Sequence, residues 1–99
     1  MKITKQINGN KAVVFLEGWL DAQSSPLLGE ELEKMGEEVT SLILDLAQLE
    51  YISSAGLRQV VAASKRWGEG FQLRHLSSSI RYVFSMSGLE KRIRIVDEG

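Results

Sequence analysis

The chain has 99 residues, 43% of them hydrophobic and 25% charged, with 12 basic against 13 acidic side chains. Such a length can remove roughly 60–70% of the unfolded surface from water, and so balanced a charge argues against a nucleic-acid or membrane-surface protein, which needs a basic excess on one face. The absence of cysteine excludes a disulfide framework and a thiolate metal site, and agrees with a reducing compartment.

The segment Met1-Lys2-Ile3-Thr4-Lys5-Gln6 lacks the apolar core of a signal peptide. No stretch reaches the roughly 20 apolar residues of a membrane span, so a cytoplasmic protein without membrane insertion is expected. Residues Lys2 to Ile7 alternate weakly, and Asn8-Gly9-Asn10 supplies residues that tolerate positive φ in a tight hairpin. Lys11 to Glu17 returns as a second strand. Its continuous run Ala12-Val13-Val14-Phe15-Leu16 predicts cover on both faces, after which Gly18-Trp19-Leu20-Asp21 leaves the sheet.

From about Ala22 the period becomes helical, with Leu28, Leu32 and Met35 on one face and Glu30, Glu31, Glu33 and Lys34 on the other. Pro26 fits only a first turn, which makes Asp21 or Ser24 the cap and sets acidic residues near the positive dipole end. Ser41 to Leu46 is the third strand, and its place after a strand and a helix favours a parallel, right-handed crossover. A second helix runs from Leu57 past Trp67 and ends at Gly68-Glu69-Gly70. Phe71 to Leu76 is a fourth strand. Ser77-Ser78-Ser79 offers caps for a third helix facing inward with Ile80, Val83, Phe84 and Ser87, and Gly88 with Leu89 forms its stop. Ile93, Ile95 and Val96 allow only a short last strand. The expected architecture is a single α/β domain over residues 1–99: a mixed sheet of four to five strands with about three helices, joined mainly by β-α-β units.

Between the third strand and the second helix stand Ser53 and Ser54, just where an N-cap belongs. A hydroxyl there can serve as a cap, a nucleophile or a modification site. Catalysis lacks support, because Ser54 has neither a Gly-x-Ser-x-Gly elbow nor a histidine near it in sequence. One histidine and no cysteine argue against a zinc site, and no phosphate-cradling Gly-x-x-x-x-Gly-Lys-Ser/Thr loop is present, so no cofactor is expected. Asp21 follows the second strand and Asp45 is expected to end the third. Parallel pairing would then set both at the sheet edge that carries Ser54, the edge at which open α/β sheets bind ligands and partners. Each could order the serine turn or help dock a partner. If exposed, Trp19 would be a partner anchor. Trp67 reads as core, His75 as structural, and Lys91, Arg92 and Arg94 as a solvated edge.

Four spaced motifs, Gly18-Trp19-Leu20-Asp21, Leu44-Asp45-Leu46, Tyr51-Ile52-Ser53-Ser54-Ala55-Gly56-Leu57 and Phe84-Ser85-Met86-Ser87-Gly88-Leu89, together resemble the STAS domain, named from sulphate transporters and anti-sigma factor antagonists. The resemblance covers essentially the whole chain and is closest to the stand-alone bacterial antagonists. It implies a non-enzymatic partner-switching module. The unmodified form binds an anti-sigma factor that is also a serine kinase; phosphorylation of one serine at the mouth of the second helix causes release, and a serine phosphatase resets the switch. The family pattern Asp-Ser-Ser-Gly-Leu, counted back from Gly56, sets Ser54 in the acceptor position. Ser53 stands where the pattern has its acid, which makes Ser53 an alternative acceptor, and Ala55 stands where it has a second serine. Asp21, Asp45, Ser53, Ser54, Ala55, Gly56 and Trp19 are the implied partner-binding positions. A second reading makes the chain a constitutive STAS subunit of a larger assembly, such as a phospholipid-transport ATPase complex or a stress-signalling scaffold. A third is weak nucleotide binding at the same edge.

Overall fold

A computed structural model of the chain describes residues 1–96. Among these the elements run β1 (Lys2–Asn8), β2 (Lys11–Leu20), α1 (Ser25–Glu33), β3 (Ser41–Ile52), α2 (Ser54–Trp67), β4 (Phe71–Arg74), α3 (Ser78–Met86) and β5 (Arg94–Val96), with single 3-10 turns at Gly68–Gly70 and Leu89–Lys91. The strands form one mixed sheet in the order β1-β2-β3-β4-β5, with β1 antiparallel to β2 and every later pair parallel. The β1–β2 hairpin closes on Asn8 opposite Lys11, and Gly9 supplies the positive φ of +65° that the turn requires. The last strand is as short as expected; Asp97, Glu98 and Gly99 lie outside the described residues.

Because strands two to five follow one another in the same direction across the sheet, right-handed crossovers carry all three helices to one face. Burial agrees with this. Ala12, Val14, Leu16, Leu42, Leu44, Phe71 and Leu73 are buried on the helix side, while the alternate residues Val13, Phe15 and Ile43 are only half-buried on the other. The expectation of cover on both faces of β2 is therefore corrected. The apolar residues on the open side are shielded by their strand neighbours, not by a second layer of helices.

The helices reach the sheet through Leu28 and Leu32, through Val60, Ala63 and Trp67, and through Ile80 and Phe84. Trp67 is buried as expected, and its indole N–H donates to the Val39 carbonyl at 2.9 Å. The Arg66 guanidinium lies 4.2 Å over the Trp67 ring and donates to the Leu32 and Met35 carbonyls at 2.7 and 2.5 Å. It thereby satisfies carbonyls at the C-terminal end of α1. That helix starts at Ser25, later than its periodicity suggests, so its first turn holds no acidic residue. In α3, Ser77 is the cap, and Ser87, expected to face inward, is exposed. Gly88 takes the left-handed conformation of a helix stop, as expected.

Strand length is where the structure departs most from the sequence reading. β2 continues through Gly18, Trp19 and Leu20, and β3 continues from Leu46 to Ile52, so neither leaves the sheet where expected. β4 pairs β3 only from Leu42 to Asp45. Beyond that point β2 and β3 run on as an extension, flanked by β1 only as far as Glu17, whose register shifts twice, between Phe15 and Glu17 and between Gly18 and Trp19. The extension carries the serine turn at its end. No helix among the described residues is long and apolar enough to cross a membrane.

Candidate functional site

At the turn from β3 into α2 the two serines take different positions. Ser53 has extended backbone angles and is the N-cap, its hydroxyl accepting the Gly56 N–H at 3.3 Å. Ser54 is the first helical residue; it is exposed, and its hydroxyl makes no hydrogen bond among the described residues. The cap is thus supplied by one serine while the other is presented to solvent. No acidic side chain lies in the first turn of α2, so the positive end of its dipole is open to an anion at Ser54.

The turn is held against the end of β2. The Leu20 carbonyl accepts the Ser53 N–H at 2.9 Å, and Gly56 packs so closely that a Cβ on it would lie 2.8 Å from that same oxygen and 2.9 Å from Ile52 Cγ1. Gly56 is buried, so it shapes the turn without offering surface to a partner; Ala55 is half-buried beside it. Asp21 orders the next loop. Its Oδ1 accepts the Gln23 and Ser24 N–H groups, each at 3.0 Å, and the Ser24 hydroxyl accepts the Asp21 N–H at 2.9 Å and donates to the Trp19 carbonyl at 2.7 Å. The Ser24 amide, foremost among these contacts, holds the Asp21 carboxyl below its ordinary value of 3.8. Asp21 therefore acts on the loop's own backbone, and the Ser24 side chain, the other expected cap, makes no capping bond to α1.

Trp19 is exposed, as a partner anchor must be, and stands opposite Tyr51 of β3 with ring centroids 4.9 Å apart and planes tilted by 40°. The sequence reading assigned Tyr51 no role of its own. Its signal was the spacing of two residues before Ser53, which has meaning only once β3 is known to extend that far.

Asp45 does not end β3 and does not reach the serine turn. It lies in mid-strand, seven residues before Ile52, which at ~3.3 Å per residue is about 20 Å away. It is buried on the helix-free side, where Oδ2 accepts from Arg74 Nε at 3.1 Å and His75 Nδ1 at 3.0 Å, and Oδ1 accepts the Ala47 N–H at 3.0 Å. Burial would raise the Asp45 carboxyl, but the Ala47 amide, the His75 ring and Arg74 outweigh it and hold the group below its ordinary 3.8. His75 was expected within a strand; instead it follows β4 in a left-handed conformation with φ of 61°, turning its ring onto Asp45. The cluster ties the end of β4 to β3. A cavity of about 440 Å3 lined by Gly68, Phe71, Arg92 and Arg94 lies beside the first residues of β4 and β5, at the other end of the parallel strands from Ser54.

A sheet covered by helices on one face, presenting a solvent-facing hydroxyl where a strand hands over to a helix, defines a small α/β domain with one open sheet face. The family described as "Mlab, STAS domain" matches residues 3–97, and the chain belongs to the STAS domain family. It is 31% identical over 91 residues to the anti-sigma-B factor antagonist of Bacillus subtilis (strain 168), covering 89% of this chain and 84% of that protein. Among solved structures it is similar to an anti-sigma factor antagonist from Mycobacterium paratuberculosis, with a TM-score of 0.87 and 21% identity over 98% of this chain and 86% of that one. It is also similar to the Bacillus cell fate determinant SpoIIAA in its phosphorylated form, with a TM-score of 0.75 and 21% identity over 98% and 93% of the two chains. At that identity the two structures speak for the fold.

Proposed function

We propose that this chain is a non-enzymatic anti-sigma factor antagonist acting in the cytoplasm. Unmodified, it binds an anti-sigma factor that is also a serine kinase; phosphorylated on Ser54, it lets go, and a serine phosphatase returns it to the binding form. The observation that carries this reading is the division of labour between the serines, Ser53 capping α2 and Ser54 exposed and unbonded at its mouth. The name of the Bacillus subtilis relative supports the same reading.

A phosphate on Ser54 adds about −1.5 to −2 charge and meets free backbone N–H groups at a helix N-terminus, so the fold tolerates it. The partner does not. Charge buried against like charge or apolar surface at an interface costs several kcal/mol, and even ~2–3 kcal/mol weakens binding roughly thirty- to a hundredfold or more.

The test is to incubate the protein with its cognate anti-sigma factor kinase and ATP, and to map the product by mass spectrometry. Phosphate on Ser54, with Ser54→Asp failing to bind the kinase, is the expected result. No phosphate on Ser53 or Ser54, or undiminished binding by Ser54→Asp, overturns it. A second reading, a constitutive STAS subunit of a larger assembly such as a phospholipid-transport ATPase complex, is favoured by Ser53 standing where the switch pattern has an acid. Under it neither serine acquires phosphate.

A further inference from the structure

The Trp19–Tyr51 pair exists because of a bulge. Gly18 pairs with Leu49 and Trp19 with Tyr51, so Glu50 is an extra residue with no partner on β2, and Gly18 takes a φ of +103° beside it. In unbroken register Trp19 would instead pair with Glu50, and Tyr51 would turn to the other face, since a one-residue slip exchanges the faces of a strand. The two rings come together on the helix-free side of the extension, where no element among the described residues covers them: Trp19 is 56% and Tyr51 44% exposed. Exposed Trp and Tyr held side by side lose apolar surface to water without serving the core, whereas in an interface they give large contact area at low entropic cost.

We propose that the anti-sigma factor's footprint runs from Ser54 over the strand ends onto the helix-free face of the sheet and is anchored by the Trp19–Tyr51 pair. This rests on the antagonist reading above. The pair adjoins the serine turn through the backbone: Tyr51 precedes Ser53 by two residues, and Leu20, next to Trp19, accepts the Ser53 N–H. Size and continuity decide the occupant. Half-exposed, the rings offer on the order of 100 Å2 each, against the roughly 800 Å2 per partner of a stable complex. Alone they are too small a patch to hold a second copy of this chain, and their continuity with the serine turn, to which the reading above assigns the anti-sigma factor, makes them the anchor of that larger interface. The anti-sigma factor meets them with an apolar side chain.

The experiment compares binding of wild type, Trp19→Ala, Tyr51→Ala, Ser54→Asp and Tyr82→Ala to the same anti-sigma factor by calorimetry. Tyr82 is 63% exposed on α3 and controls for the loss of any surface aromatic. Trp19→Ala and Tyr51→Ala should each weaken binding tenfold or more, with Tyr82→Ala within twofold of wild type. Trp67 is buried, so acrylamide quenching of tryptophan fluorescence reports chiefly on Trp19 and should fall when the complex forms. If Ser54→Asp abolishes binding while both aromatic variants bind within twofold and Trp19 stays open to acrylamide, the footprint is overturned and the switch stands. If wild type does not bind the anti-sigma factor, both fall.

Discussion

Gly56 stands against Leu20 so tightly that one added methyl group would lie 2.8 Å from the Leu20 carbonyl oxygen, an atom already bonded to the Ser53 amide. The close approach joins the end of β2 to the mouth of α2. Alanine is the better helix former by about 1 kcal/mol, but here the obstacle includes backbone, which cannot rotate away. Overpacking of about 1–3 kcal/mol should win, so Gly56→Ala is expected to lower the urea midpoint with an unchanged slope. A midpoint at or above wild type would show that the turn yields.

The two serines should separate cleanly in stability measurements. Ser53→Ala removes the cap of α2 and is expected to lose about 1 kcal/mol. Ser54→Ala removes an exposed, unbonded hydroxyl and should stay within about 0.5 kcal/mol of wild type. Equilibrium denaturation of both variants checks the assignment, and the reverse order would exchange the roles given to the two residues.

Phosphorylation at Ser54 should leave the protein folded. An anion at an exposed helix N-terminus contributes about 0.3–1 kcal/mol in its favour, so the thermal midpoint of the phosphoprotein should equal or slightly exceed that of the unmodified form. Circular dichroism melts decide it. A fall of about 10 °C or more would mean that the modification acts by unfolding the turn.

Acid should expose the role of Asp45. Its carboxyl is held below 3.8 in the folded protein, so the unfolded chain binds that proton more tightly. The stabilisation is therefore complete above 3.8 and is lost as pH falls from there through the folded-state value. Asp45→Asn is expected to be less stable than wild type at neutral pH by about 1–3 kcal/mol. Urea midpoints measured down to a pH of about 2 should show that gap narrowing. Parallel curves would assign the His75 and Arg74 contacts no energetic weight.

Much of this was legible in the chain itself. The order of elements, the hairpin at Gly9, the stop at Gly88 and the burial of Trp67 all follow from local chemistry. So does a cap at the serine pair, although the sequence left open which serine supplies it. What escaped was set by pairing between distant segments. Ala47-Gln48-Leu49-Glu50-Tyr51 does not alternate cleanly because bulges shift its register, so it reads as a loop although β2 holds it in the sheet. That one misreading put Asp45 at a strand end and left Tyr51 without a role of its own. His75 is structural, as read, but its backbone placement escaped for a related reason: its left-handed turn brings the ring to a carboxylate that lies 30 residues earlier.

β4 stops opposite Asp45 while β2 and β3 continue. The residues that hold the sheet together and those that surround Ser54 consequently occupy different stretches of the same two strands. Exposed positions of the extension, such as Trp19 and Tyr51, can be exchanged without touching the buried side chains beneath. A lineage of such proteins could diverge in the company it keeps while its folding remained constant, and paralogues in one cell could be insulated from each other by a few surface substitutions.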